Sequence, residues 1–265
     1  PVIQVEKKSN IHIFDLKIDG NRAVQDGPSG EEDGGRHGIR IVESSNVQLF
    51  NSSFNKNATD GIYIGKDDRA VSDVYLWRVK ADGNSRQGLS ITGASGVYDA
   101  FSTYTNTKGL APGAGIDIEP NPTTKLIEDI WIFGAEVSGN EGIGFLISSW
   151  AELATNMNVI ASNFYDNLRY DFRVGVHNGK TISNSQFVNN TIGSDFKFGH
   201  MSYMEAPGIF KDVLIKDNVI GGDLILFGIA QPSHDITLWS NIVTGRLLGT
   251  NMQGVKVVAV DNGAP

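Results

Sequence analysis

Gly113-Ala-Gly-Ile-Asp-Ile-Glu-Pro-Asn121 reads as a short strand held between two turns. Side chains on a strand alternate faces, so Ile116 and Ile118 point one way while Asp117 and Glu119 point the other. The two carboxylates then stand roughly 6–7 Å apart at the backbone, two strand rises. The phrase recurs with different outward residues as His37-Gly-Ile-Arg-Ile41, Asp60-Gly-Ile-Tyr-Ile64, Gln87-Gly-Leu-Ser-Ile91, Ala114-Gly-Ile-Asp-Ile118 and Glu141-Gly-Ile-Gly-Phe145. Its glycines fall at 38, 61, 88, 115 and 142, giving steps of 23, 27, 27 and 27. Fainter copies follow at Asp171, Asp195 and Asp223.

A second unit lies between these: Asn10-Ile-His-Ile-Phe14, Asn46-Val-Gln-Leu-Phe50, Asp73-Val-Tyr-Leu-Trp77, Asp129-Ile-Trp-Ile-Phe133 and Asp235-Ile-Thr-Leu-Trp239, with looser copies from Gly96, Asn156, Gly179 and Asp212. Offsets +1 and +3 are apolar, and offset +8 supplies Ile18, Phe54, Val137, Phe164, Phe187 and Val243. Offset +11 is Asn21, Asn57, Asn84, Asn140, Asn167 and Asn190, with Asn106 one residue out of register. One such period cannot bury its own apolar face, but stacked periods bury each other's. Stacked amides at a turn bond along the stack and tolerate left-handed backbone. We therefore expect an all-β chain folded as a right-handed parallel β-helix of about nine coils. It is a single domain over 1–265, with ends that suggest a piece of a longer chain.

The composition is consistent with this. Of 265 residues 40% are hydrophobic, enough for one large core, and 31 glycines favour turns. A net charge of −8 argues against nucleic acid as a partner. No apolar run reaches membrane-span length. There is no cysteine, which leaves the compartment open.

The Gly-Ile-x-Ile strands, the asparagine turn and Asp19-Gly-Asn-Arg22 resemble the pectate-lyase-like superfamily, which includes polygalacturonases, polysaccharide lyases, alginate epimerases and phage tailspike depolymerases. The likeness runs over nearly the whole chain. Asn57-Ala-Thr-Asp60 resembles the polygalacturonase Asn-Thr-Asp with one insertion, but Arg86-Gln87 stands where the family has paired aspartates. Gly113-Ala-Gly115 lacks the family's histidine, and Asp117-Ile-Glu119-Pro120 is only faintly similar to the epimerase Asp-Pro-His-Glu. The resemblance implies a polysaccharide substrate and an extracellular setting, secreted or on a virion surface.

The outward ladder reads Arg40, Tyr63, Ser90, Asp117, Gly144, Arg173 and Lys197. Connections at 25–36, 65–73, 107–113, 119–129, 147–156 and 199–212 would wall a groove along it. Asp117 and Glu119 are the expected catalytic pair, with Asp60 and Glu141 as partners from the groove margin. Arg40 and Arg173 suit a carboxylate or sulfate, Ser90 leaves room for a sugar, and Tyr63 and Trp150 could stack on one. His37 and His177 read as ordinary turn residues. No resident cofactor or metal is expected, although Ca²⁺ would accompany a lyase and Glu31-Glu32-Asp33 could hold it. The expected activity is glycoside hydrolysis, ahead of β-elimination. The alternatives are a non-catalytic glycan-binding phage-tail or cell-surface module, or a sugar epimerase. The offset +4 aromatics Phe14, Phe50, Trp77, Phe133 and Trp239 either face outward with Tyr75 and Trp131, as in a homotrimer interface, or turn into the core.

Overall fold

A residue at positive φ turns the chain sharply, and Asn, Asp and Gly bear it with least strain. In the computed structural model this conformation recurs at Asn10, Asn46, Asp73, Gly96, Asp129, Asn156, Asn184 and Asp212, with φ between 47° and 76°. It returns five residues later at Asp15, Asn51, Arg78, Phe101, Gly134, Ala161, Asn189 and Asp217, and occurs again at Ser240. Each coil is thereby cut into three short strands. The structure describes residues 1–24, 35–65, 71–177, 179–200, 208–227, 235–249, 254–258 and 260–262.

Strands stack by coil into three parallel sheets of ten strands each, so the count differs from the nine coils expected. The first sheet includes Ile39–Val42, Ile62–Ile64, Gln87–Ile91, Ala114–Ile118, Ile143–Ser149, Tyr170–Val176 and Phe196–His200. The second includes Ser72–Trp77, Ser95–Ala100 and Leu126–Phe133, and the third Ser53–Asn55 and Thr103–Thr105. One 3₁₀ turn, Arg22–Val24, is the only helix among the described residues. Inward residues at the predicted positions form one continuous core. It is aliphatic through the middle coils and becomes phenylalanine-rich later, where Phe172 lies 4.6 Å from Phe145 and 4.7 Å from Phe196.

The register departs from the sequence reading in two places. The glycine equivalent to Gly115 is Gly144 rather than Gly142, because Ile116 pairs with Phe145. Each glycine of this ladder lies against the next coil: a Cβ on Gly38, Gly61, Gly88 or Gly115 would come within 2.6–2.8 Å of the following glycine's carbonyl oxygen. Leu146, rather than Gly144, therefore stands beside Asp117. Asn140 precedes Gly144 by four residues, as Asn84 precedes Gly88, whereas Thr107 precedes Gly115 by eight, so the lengthened corner is 108–113.

The seventh second unit starts at Asn184, not Gly179, since Thr155 pairs with Ser183 and Asn158 with Gln186. Both residues are left-handed, and only the pairing identifies the corner. The shift moves Phe187 onto the second sheet, with Ile192 taking its place on the third. It also moves Asn190 to a different ladder. One ladder, after the third strand, links Asn57 to Asn84 and Asn140 to Asn167, each amide donating to the next coil's Oδ1 at 2.8 Å. Thr107 interrupts it, and Asn21 at its start is exposed. The other, between the second and third strands, runs from Ser162 to Asn190, Asn218 and Asn241. Asn84, Asn140, Asn167, Asn190, Asn218 and Asn241 each also donate to a strand carbonyl, as Asn218 Nδ2 does to Phe187 O at 2.9 Å. Buried backbone groups at the corners are satisfied in this way, each bond contributing about 1 kcal/mol net.

The offset +4 aromatics face solvent because the left-handed turn comes one residue later. Phe14, Trp77, Phe133 and Trp239 are exposed.

One inward position breaks the apolar rule. Asp99 takes the slot filled by Leu76 and Ile132 on neighbouring coils, and Tyr104 donates to it at 3.0 Å. Burial pushes its carboxyl up to about 7, against the effect of hydrogen bonds from Ser102 and Tyr104. A carboxyl raised in the folded state binds its proton more tightly there than in the unfolded chain. Its contribution to stability is therefore lost as pH rises from about 4 to about 7 and stays flat above. Asp99→Asn keeps the Tyr104 bond and removes the ionisation. Urea unfolding should show the variant gaining on the parent through that window, reaching a few kcal/mol by pH 8. A difference that does not change with pH would refute a buried titrating Asp99.

Candidate functional site

The strands Gln87–Ile91 and Ala114–Ile118 are buried along their whole length, outward residues included. The expected open face is therefore covered at its centre. Connections after 107, 118 and 149 fold over it and leave a cleft of about 220 Å³ lined by Arg86, Gln87, Ser90, Thr92, Ala111, Pro112, Glu119, Pro120, Asn121, Pro122 and Trp150. These segments match the predicted walls at 107–113, 119–129 and 147–156, although 126–133 and 153–156 belong to strands. The loops 25–36, 65–73 and 199–212 fall largely outside the described residues, and Glu31-Glu32-Asp33 wholly so.

Strand alternation places Asp117 and Glu119 on one side, but they meet different surroundings. Glu119 is exposed in the cleft, whereas Asp117 is fully buried beneath it. Ser90 and Leu146 flank Asp117 in register. Gln87, from the preceding coil, donates its amide to Asp117 Oδ2. The other oxygen, Oδ1, is buried without a hydrogen-bond partner. Burial first, then the charge of Glu119, holds the Asp117 carboxyl well above the usual range, against the pull of Arg86 and the Gln87 bond.

Asp60 does not face the cleft. It is fully buried and receives both ends of one guanidinium, Arg86 Nε at 2.8 Å and Nη2 at 2.5 Å. His37 Nδ1 lies 3.1 Å from its Oδ2. Burial raises this carboxyl, but the bonds from Arg86 and His37 prevail and hold it below its usual value. Asp60 thus positions Arg86, which lines the cleft. His37 is a buried support rather than a simple turn residue, stacked on Tyr63 at 4.8 Å. Tyr63 in turn bonds Thr92 Oγ1 at 3.0 Å, and Arg40 leans over its ring at 5.7 Å. Tyr63 and Arg40 extend the outward ladder away from the cleft without lining it.

Glu141 is a loop clamp. Its carboxylate accepts from Gly109 N at 2.9 Å, tying its own corner to the 107–113 wall. Trp150 lines the cleft, and its ring lies 3.4 Å from His177, nearly parallel. His177 is buried, with Nε2 3.1 Å from Ser148 Oγ, so it backs the tryptophan and is not an ordinary turn residue. Arg173 lies two coils beyond Asp117 on the ladder. Sequence reasoning thus placed Glu119, Ser90 and Trp150 at the cleft and missed Arg86 and Gln87. Their signal was a basic and an amide residue side by side, one coil after Asp60 and one coil before Asp117. Among the described residues no three His, Cys, Asp or Glu side chains gather as a metal site.

Removing one member of a buried ion pair strands the other. Asp60→Asn should cost roughly 3–5 kcal/mol in chemical denaturation, with Arg86 released from its pose. A cost below about 1 kcal/mol would show that the pair does not hold the site.

No protein-family model matches the chain, and no curated protein matches it in sequence. Solved structures do. The Azotobacter vinelandii mannuronan C-5 epimerase AlgE4 A-module superposes with a TM-score of 0.63 at 15% identity, over 97% of this chain and 73% of that one. The pectate lyase Pel9A gives 0.52 at 15% identity, over 85% of this chain and 55% of that one. The AlgE6 A-module from A. vinelandii gives 0.50 at 18% identity, over 97% and 74%. With three in-register parallel sheets already in view, these likenesses establish the fold as a pectate-lyase-like right-handed parallel β-helix.

Proposed function

We propose that the chain is an enzyme that cleaves a polysaccharide held in the cleft over the first sheet, by glycoside hydrolysis. The observation that carries this is the unequal pair of carboxylates on one strand. Hydrolysis needs one carboxyl group to carry a proton to the leaving oxygen and another to activate water or attack. Environments that push two acids apart divide those roles. Asp117, whose carboxyl burial holds well above its usual range, lies under the cleft floor, and Glu119 presents its oxygens to the cleft. Arg86 and Trp150 would grip the sugar from either side. The structural neighbours named as a mannuronan epimerase and a pectate lyase support a polysaccharide as the ligand.

β-Elimination is the second reading. It is favoured by one observation: a single carboxylate reaches the cleft, beside an arginine. A polysaccharide panel read for both reducing ends and unsaturated products separates the two. Glu119→Gln and Asp117→Asn should each lower turnover by at least about a hundredfold while binding survives. Normal turnover in both variants would place the chemistry elsewhere, and binding without turnover in the parent would make this a glycan-binding module.

The outward aromatics support a further part of this reading, self-association as a homotrimer through the second sheet. Phe14 stacks on Phe50 at 5.0 Å, and a groove of about 420 Å³ is lined by Tyr75, Trp77, Tyr98, Trp131 and Phe133. Light scattering should find three copies together; a monomer at high concentration would exclude it.

A further inference from the structure

Beyond the cleft, the outward ladder of the first sheet continues through Leu146 to Arg173 and Lys197. The two cations are in register on adjacent strands, one coil apart, which is about 4.8 Å. Like charges in directly opposed positions repel. Both side chains are half-buried, so they have lost part of their hydration as well. Among the described residues neither forms an ion pair, in a chain whose net charge is −8. Arg173 Nε is buried with no hydrogen-bond partner.

Tyr170 accounts for part of this arrangement. Lys197 Nζ lies 3.9 Å from its ring centre and Arg173 Cζ 5.9 Å. A hydrogen bond from Lys197 also holds the tyrosine hydroxyl below its usual pKa. The nearby carboxylate, Asp195, is engaged elsewhere, accepting from Asp223 N at 2.9 Å. A ring face attracts two cations but offers no acceptor to a guanidinium N–H. An oxyanion would satisfy that donor and neutralise both charges at once.

We propose that Tyr170, Arg173 and Lys197 form a subsite for the carboxylate or sulfate of an acidic polysaccharide, two to three coils along the first sheet from Asp117. This deepens the cleft reading and rests on it, by making the substrate class an anionic glycan. Spacing of about 10–14 Å from Asp117 puts the bound charge on a sugar other than the one at the cleft.

The test is calorimetric binding, which does not depend on turnover. The probes are an oligogalacturonate, its carboxyl-reduced counterpart and a sulfated dextran oligosaccharide, each at two salt concentrations. The parent should bind at least one charged probe more tightly than the neutral one, and which charged probe binds tells carboxylate from sulfate. Arg173→Gln with Lys197→Met should weaken that binding at least tenfold and flatten its salt dependence, with the neutral probe unaffected. Lys197→Met alone, at a half-exposed position, should show part of the loss if the double variant does not fold. Equal weakening of charged and neutral probes, undiminished charged binding, or a parent with no preference for charge would each overturn the subsite. Turnover of the parent and of Glu119→Gln on the polysaccharide panel tests the cleft separately from this binding, so a failure of the subsite is distinguishable from a failure of the cleft.

Discussion

Every coil of this protein depends on the next one being in register. A single coil has three short strands, unpaired backbone on both edges and an apolar interior it cannot close. All are satisfied only when the neighbour presents the same residue type at the same height, as Ile116 meets Leu89 on one side and Phe145 on the other. The asparagine ladders apply the same rule to the corners, where an amide reaches both the next coil and a strand carbonyl. The glycine ladder is its steric form, with backbone so close to backbone that a methyl group has no room.

That constraint explains what could be read from sequence. Apolar alternation and left-handed corner residues repeat because stacking demands it, so the architecture was legible from a few phrases. The errors fell where two residues met the same local demand. Gly142 and Gly144 both fit a Gly-Ile or Gly-Phe phrase, and Gly179 and Asn184 both tolerate positive φ. Only pairing across coils separates them.

The site was legible in type rather than in exposure. Alternation put Asp117 and Glu119 on one side of the sheet, but whether a side chain there meets water depends on loops from three other places. Pro112, Pro120 and Trp150 arrive over the strand from corners that no local pattern orients. The His37, Asp60 and Arg86 cluster was hidden for the same reason, since its members lie on three successive coils. A carboxylate that seemed available to substrate is committed to holding an arginine in place.

The longer corner at residues 108–113 has a consequence for how such a protein can vary. Thr107 precedes Gly115 by eight residues where Asn84 precedes Gly88 by four, yet Ile116 still meets Leu89 and Thr107 N still donates to Asn140 Oδ1. The extra length is absorbed at the corner, and Glu141 of the next coil braces it by accepting from Gly109 N. Stacking thus makes the scaffold intolerant of change along its strands and permissive at its corners. Loop length and composition at the corners can then change the rim of the cleft while the strand that carries Asp117 keeps its register.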